Sequence, residues 1–116
     1  MVNKLLFDRA QLLEHVDNDS ILVEQLMSLY LQQLSQMLLS LQEAVDLEDK
    51  KLIISLAHKI KGSSVTICCQ LISQKAIQIE NHLKTDNFNV AFIKDIMNQI
   101  RHDAEQFAML SKVFDG

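Results

Sequence analysis

The chain has 116 residues, 48% of them hydrophobic and 22% charged, and a formal net charge of -4 at pH 7. This length and composition suit one core, so residues 1–116 are expected to form a single globular domain. The acidic balance and the scattered basic residues argue against a nucleic-acid surface, which needs clustered Lys and Arg. No apolar run approaches the roughly 18 residues of a membrane span, and the N-terminus lacks a signal-peptide pattern. We therefore expect no membrane association and a cytoplasmic location.

Helix-favouring residues dominate and proline is absent, so the chain is expected to be all-α. The first helix is predicted from Phe7 to Val16, capped by Asp8 and ended by the polar segment 17–20. A long helix follows from about Ser20 to Val45. Apolar residues recur in it at alternating steps of four and three, the pattern of a bundle seam: Val23, Met27, Tyr30, Leu34, Met37, Leu41 and Ala44.

The third helix is predicted from about Glu48 to Ile67. At about 100° per residue, its core face consists of Leu52, Ile53, Leu56, Ala57, Ile60, Ser63, Ser64 and Ile67. Its other side carries Ile54, His58, Lys61, Gly62 and Val65. The two serines are assigned to packing, and their hydroxyls are expected to bond back to backbone carbonyls of the same helix.

Two more helices complete the pattern. One runs from about Cys69 to Leu83, with a seam of Ile72, Ala76, Ile79 and Leu83. After the polar turn 84–87, Asn89 is expected to cap the last helix. Its apolar face consists of Phe92, Ile93, Ile96, Met97, Ile100, Ala104, Phe107 and Leu110. Four long helices with short polar connections predict an antiparallel four-helix bundle with a short additional N-terminal helix.

The outer face of the third helix carries a reactive group beside a cation. Lys61 and Gly62 follow His58 at i+3 and i+4, the spacings that bring side chains together on a helix. A neutral imidazole is nucleophilic at physiological pH, and a nearby ammonium stabilises the charge of a transferred phosphoryl group. A mid-helix glycine costs roughly 1 kcal/mol relative to alanine. We interpret Gly62 as clearance that lets a bulky partner reach the imidazole.

Residue spacing leaves a simpler alternative open, in which His58 is only a solvated surface histidine. A di-metal site is disfavoured because the paired Glu-x-x-His motifs of metal-binding bundles are absent. Cys68 and Cys69 are adjacent and lack the C-x-x-C spacing of a metal or redox site, so they are predicted to be two buried thiols.

The segment Ala57-His58-Lys59-Ile60-Lys61-Gly62-Ser63-Ser64 resembles the signature of histidine-containing phosphotransfer (HPt) domains, A-H-x-[apolar]-K-G-S-[small]. The resemblance covers nearly the whole chain and includes Ile79-Glu80, where the family commonly has Leu-Glu or Leu-Gln. It implies a four-helix bundle whose His58 is phosphorylated on Nε2. The phosphoryl group would come from an aspartate of one receiver domain and pass to an aspartate of another in a multistep two-component phosphorelay.

The resemblance also implies roles for the neighbours of His58. Lys61 would balance charge, and Glu80 would accept a hydrogen bond from Nδ1–H, leaving Nε2 free. A solvated glutamate is the alternative for Glu80. Ile54, Lys59, Gly62 and Val65 are expected to form the partner-binding surface. The family usually has Gly-Ala after Ile67, so here a residue with a side chain, within Cys68-Cys69, must make the turn.

The chain has no glycine-rich ATP loop, so it is expected to carry phosphoryl groups without kinase activity of its own. No cofactor is expected in this bundle, and Mg2+ would be held by the partner receiver. The expected partners are receiver domains of a hybrid sensor kinase and of a response regulator, bound by a monomer. The start at Met1 favours a free-standing protein over a segment of a larger kinase. A second hypothesis is a non-catalytic helical module that docks or inhibits a signalling partner through the His58 face.

Overall fold

Most helices begin where a short polar side chain caps them. The computed structural model describes residues 3–85 and 87–115, with side chains up to residue 110. The helices are α1 (Arg9–His15), α2 (Ser20–Asp46), α3 (Lys50–Thr66), α4 (Gln70–Leu83) and α5 (Val90–Asp115). The carboxylates of Asp8, Asp19 and Asp49 accept backbone N–H bonds from the first turns of α1, α2 and α3. Asn89 accepts one from Phe92 in α5. The predicted caps Asp8 and Asn89 are therefore confirmed.

The third helix begins two residues later than predicted. Glu48 has a φ of 52°, which is incompatible with a helix, and Asp49 adopts the capping position instead. The polar turn predicted at 84–87 follows Leu83, but Asp86 lies outside the described residues.

The four long helices form a closed ring of contacts. α2 packs on α3, α3 on α4, α4 on α5 and α5 back on α2, while α1 contacts α2. The predicted four-helix bundle with a short additional helix is confirmed. Within residues 3–85 and 87–115, no helix combines the length and the apolar character needed to cross a bilayer.

The buried side chains follow most of the predicted seams, although Ser63, Ala104 and Leu110 are only partly buried. On α2, Leu38 is buried, whereas Met37 is only partly buried, because it packs against the core at the edge of a groove between α2 and α3. Leu52 and Phe92 are 42% and 43% exposed, so their predicted core positions are wrong. Both lie in the first turn of a helix, at the end of the bundle, and Phe92 stacks instead against His82 with ring centroids 4.5 Å apart.

A small polar cluster lies inside the core. The Tyr30 hydroxyl and the buried Ser64 hydroxyl are hydrogen-bonded at 2.6 Å, which joins α2 to α3. The expected return bond to the helix backbone is therefore wrong for Ser64, whereas Ser63 Oγ does donate to the Ile60 carbonyl at 3.2 Å. The Tyr30 ring packs edge-on against Phe107. Burial pairs these polar groups with each other and not with water.

Stability should fall at high pH because two buried acids of the core are held protonated. Burial raises the pKa of the Tyr30 hydroxyl and the pKa of the Cys69 thiol. As the pH rises past about 8.5 for cysteine and about 10 for tyrosine, the unfolded chain loses protons that the folded chain keeps. Each group then lowers the free energy of unfolding by up to about 1.4 kcal/mol per pH unit.

Urea unfolding from about pH 7 to 11 would measure this decline. In Tyr30→Phe, the free energy of unfolding should decline less steeply above about pH 10, since phenylalanine has no proton to lose. A free energy of unfolding that stays constant throughout this range would contradict the assignment.

The turn between α3 and α4 is made without glycine. Cys68 has a φ of 65°, in the left-handed region that glycine occupies at little cost. This confirms that a residue with a side chain makes the turn. Both thiols are buried, as predicted. Burial and the neighbouring Asp8 raise the pKa of the Cys68 thiol, which disfavours the reactive thiolate.

Candidate functional site

The outer face of α3 presents His58 to solvent at the middle of the helix. The His58 side chain is 67% exposed. Val65, two turns later, is 61% exposed, and Gly62 between them is also exposed. Ile54 is half-buried and packs against the core. The stripe is therefore an accessible histidine on a partly apolar surface, which differs from a fully polar, solvated helix face.

Glu80 of α4 lies across from this face and close to His58, although the two residues are 22 positions apart in the sequence. Its Oε1 atom is 3.6 Å from His58 Nδ1 and 3.6 Å from Lys61 Nζ. The first distance exceeds the 2.7–3.2 Å of a normal hydrogen bond, so the expected bond from Nδ1–H is not formed in this structure, although the two groups face each other. Glu80 is nonetheless buried, which excludes the alternative of a solvated surface glutamate. Nε2 lies on the far edge of the ring, with no partner among the described residues.

Gly62 is required neither by the backbone nor by packing. It lies inside α3 with ordinary helical geometry, and a Cβ built on it meets no atom within 4 Å. The described residues with positive φ do not include Gly62, and each of them has a side chain: Asp17, Asn18, Glu48 and Cys68. The glycine therefore stands where the fold would accept a larger residue. What it provides is open space one turn from His58.

A groove between α2 and α3 flanks the histidine on the side away from Glu80. Lys59 lines it, together with Leu56 and Ser63 from α3 and Gln33, Gln36, Met37 and Ser40 from α2. The groove has a volume of about 440 Å³. Lys59 was predicted at the surface, but the α2 residues of the groove were not predicted. The sequence does mark this part of α2, because residues 25–42 contain no charged side chain and no histidine, even at exposed positions.

Of the predicted site residues, the structure places His58, Lys61 and Glu80 in one cluster. Ile54, Gly62 and Val65 extend along the same stripe, whereas Lys59 projects to the neighbouring groove. No three His, Cys, Asp or Glu side chains of the described segments lie close enough together to hold a metal ion. The chemistry available is thus that of one exposed imidazole, one ammonium and one buried carboxylate.

The comparisons with known proteins point to one family. The family model described as "Hpt domain" matches residues 25–108. A crystal structure of the HPt domain from a sensor hybrid histidine kinase of Shewanella is similar in fold, with a TM-score of 0.73 and 17% sequence identity. The similarity covers 97% of this chain and 95% of that one. No curated protein matches the chain significantly. Because the family match spans well over half of the sequence and includes the whole His58 cluster, the chain belongs to the Hpt domain family.

Proposed function

We propose that His58 is the residue on which this Hpt domain carries its phosphoryl group. The observation that supports it best is the orientation of the ring. Nδ1 faces the buried Glu80 carboxylate, while the exposed ring leaves Nε2 without a partner. A carboxylate at Nδ1 favours the tautomer with its proton on that nitrogen, so the lone pair is on Nε2. Nε2 is therefore the nucleophile.

In the proposed step, the Nε2 lone pair attacks the phosphorus of an aspartyl phosphate on a receiver domain. The Nε2–P bond forms as the bond from phosphorus to the aspartate oxygen breaks, and the electron pair leaves on the carboxylate. The ring keeps its Nδ1 proton and carries positive charge, which Glu80 offsets. The reverse step on a second receiver returns neutral His58 and completes the relay.

The partners follow from this chemistry. Hpt domains exchange phosphoryl groups with receiver domains of two-component proteins. Here we infer one receiver from a hybrid sensor kinase and another from a response regulator, each docking on a monomer in the cytoplasm. Because the chain has no glycine-rich nucleotide loop, the receiver supplies the phosphoryl group and its Mg2+, and this domain contributes no kinase activity.

We infer that the receiver docks over the outer stripe of α3 and the adjoining α2–α3 groove. Val65→Glu should weaken this docking by roughly tenfold or more, since the partner would have to desolvate a charge. The fold should be unchanged because Val65 is 61% exposed. Titration calorimetry with a receiver would measure the affinity.

Leu39→Glu is the matched control for docking. Leu39 is 69% exposed on α2 but lines no part of the groove, so the affinity of the Leu39→Glu variant for the receiver should match that of the wild type. Equal affinities for Val65→Glu and the wild type would place the docking surface elsewhere.

The test of the function is transfer from a phosphorylated receiver domain that carries a radioactive label. The label should move to this chain and become acid-labile and alkali-stable, as expected of phosphohistidine. A tryptic digest should then place it on the peptide containing His58. If the receivers of the host lose label at the same rate with and without this chain, and none appears on it, the proposal is wrong.

A further inference from the structure

The buried carboxylate of Glu80 lies beside two basic side chains, His58 and Lys61, and its Oε1 atom accepts a hydrogen bond from neither. One oxygen, Oε1, lies 3.6 Å from both His58 Nδ1 and Lys61 Nζ. That oxygen is inaccessible to solvent and has no hydrogen-bond partner among the described residues. A buried carboxylate in this state strongly favours a positive charge beside it. The structure offers two candidates, of which one is always charged and the other titrates.

The other charged groups near His58 are more distant or point elsewhere. On α3, Lys51 lies two turns earlier on the same side, and Lys59 lines the groove on the opposite side. On α4, Lys84 lies one turn after Glu80 and is exposed. On α2, residues 25–42 contribute no charge. Within the described residues, Glu80 is the carboxylate in ion-pairing range of both His58 and Lys61.

Resting on the function proposed above, we propose that Lys61 neutralises Glu80 and thereby keeps the His58 imidazole uncharged and nucleophilic. In this arrangement Lys61 is a positioning residue that acts on His58 through the shared carboxylate. Its side chain is 30% exposed and directed toward Glu80. Without the ammonium, the whole charge of the carboxylate would act on the imidazole and hold a proton on Nε2. A protonated Nε2 has no lone pair with which to attack phosphorus.

The effect of Lys61 should therefore depend on Glu80 and on pH. Lys61→Ala should leave more of the His58 rings protonated near neutral pH, because the charge of the carboxylate is no longer offset. Glu80→Gln should leave fewer protonated, because the amide carries no charge, and Lys61→Ala with Glu80→Gln should return the protonated fraction close to the wild-type value. Phosphotransfer by Lys61→Ala should then be slow near neutral pH, recover as the pH rises, and improve when Glu80→Gln is added.

NMR titration of the His58 ring in the full chain measures the first effect without any receiver. Lys51→Ala, which removes an equal charge two turns away on the same helix, is the control and should shift the midpoint much less. Circular dichroism at each pH would show that the variants remain folded.

The result that overturns the inference is an unchanged titration midpoint in Lys61→Ala, or one that Glu80→Gln does not reverse. A transfer rate reduced equally at every pH, with no rescue in the double variant, would likewise assign Lys61 to direct contact with the phosphoryl group. Shifted midpoints in a chain that accepts no phosphoryl group would refute the proposed function and leave the charge coupling standing.

Discussion

Replacing His58 with glutamine is expected to abolish acid-labile phosphorylation completely while leaving the fold intact. Glutamine is polar and similar in length but offers no nucleophilic nitrogen lone pair. The side chain is 67% exposed and makes no hydrogen bond to the described residues, so the free energy of unfolding should change by no more than about 0.5 kcal/mol. Transfer of label from a phosphorylated receiver, with circular dichroism and urea unfolding in parallel, would measure both quantities.

His102→Gln is the control, because His102 is exposed on α5 and has no part in the site. It should accept label at the wild-type rate. If His58→Gln still forms an acid-labile phosphoprotein, or if His102→Gln abolishes it, the phosphorylated residue has been assigned wrongly. If His58→Gln loses phosphorylation but still binds and regulates its signalling partner, the result would instead support the non-catalytic docking hypothesis.

Replacing Gly62 with glutamine should have opposite effects on stability and on docking. A Cβ at this position meets nothing within 4 Å, so the helix gains the propensity difference with no clash. The free energy of unfolding should rise by about 0.5–1 kcal/mol. The new side chain fills the space one turn from His58, so receiver affinity and transfer rate should fall by roughly tenfold or more. Urea unfolding and a transfer time course would test the two effects separately.

Gly62→Ala should give the same gain in stability with a smaller loss of transfer, because it adds only a methyl group. Ser28→Gln, on an exposed part of α2 outside the groove, controls for adding a glutamine to the surface. Gly62→Gln with normal transfer would show that the glycine serves some purpose other than access.

Much of the fold follows from the sequence because the connections are short and the helices strongly periodic. The seam of α4 and the caps Asp8 and Asn89 were predicted correctly, since local spacing and capping chemistry decide them. The core positions predicted for Leu52 and Phe92 were wrong, because periodicity identifies the apolar face of a helix but not where the neighbouring helices end. The Tyr30–Ser64 hydrogen bond was also not predicted, since it forms only where α2 and α3 bring these two side chains to the same height in the core.

The site was predictable in its chemistry and less so in its geometry. The spacing of His58, Lys61 and Gly62 is local to one helix and can be read directly. The burial of Glu80, and the equal distance of its Oε1 atom from His58 Nδ1 and Lys61 Nζ, depend on how α3 and α4 pack. The α2 residues that line the groove were not predicted, because an uncharged stretch of a helix has the same sequence pattern whether it faces the core or a partner protein.

The connection between α3 and α4 consists of residues 67–69 and contains the unfavourable φ of Cys68. A connection of three residues leaves α4 little room to slide along α3. Together with the buried seam of α4, it sets the height at which Glu80 stands opposite His58. A longer connection would let Glu80 shift along the bundle while every side chain of the signature segment remained in place. The reactivity of His58 is thus encoded partly in the length of a turn that touches none of the reacting atoms.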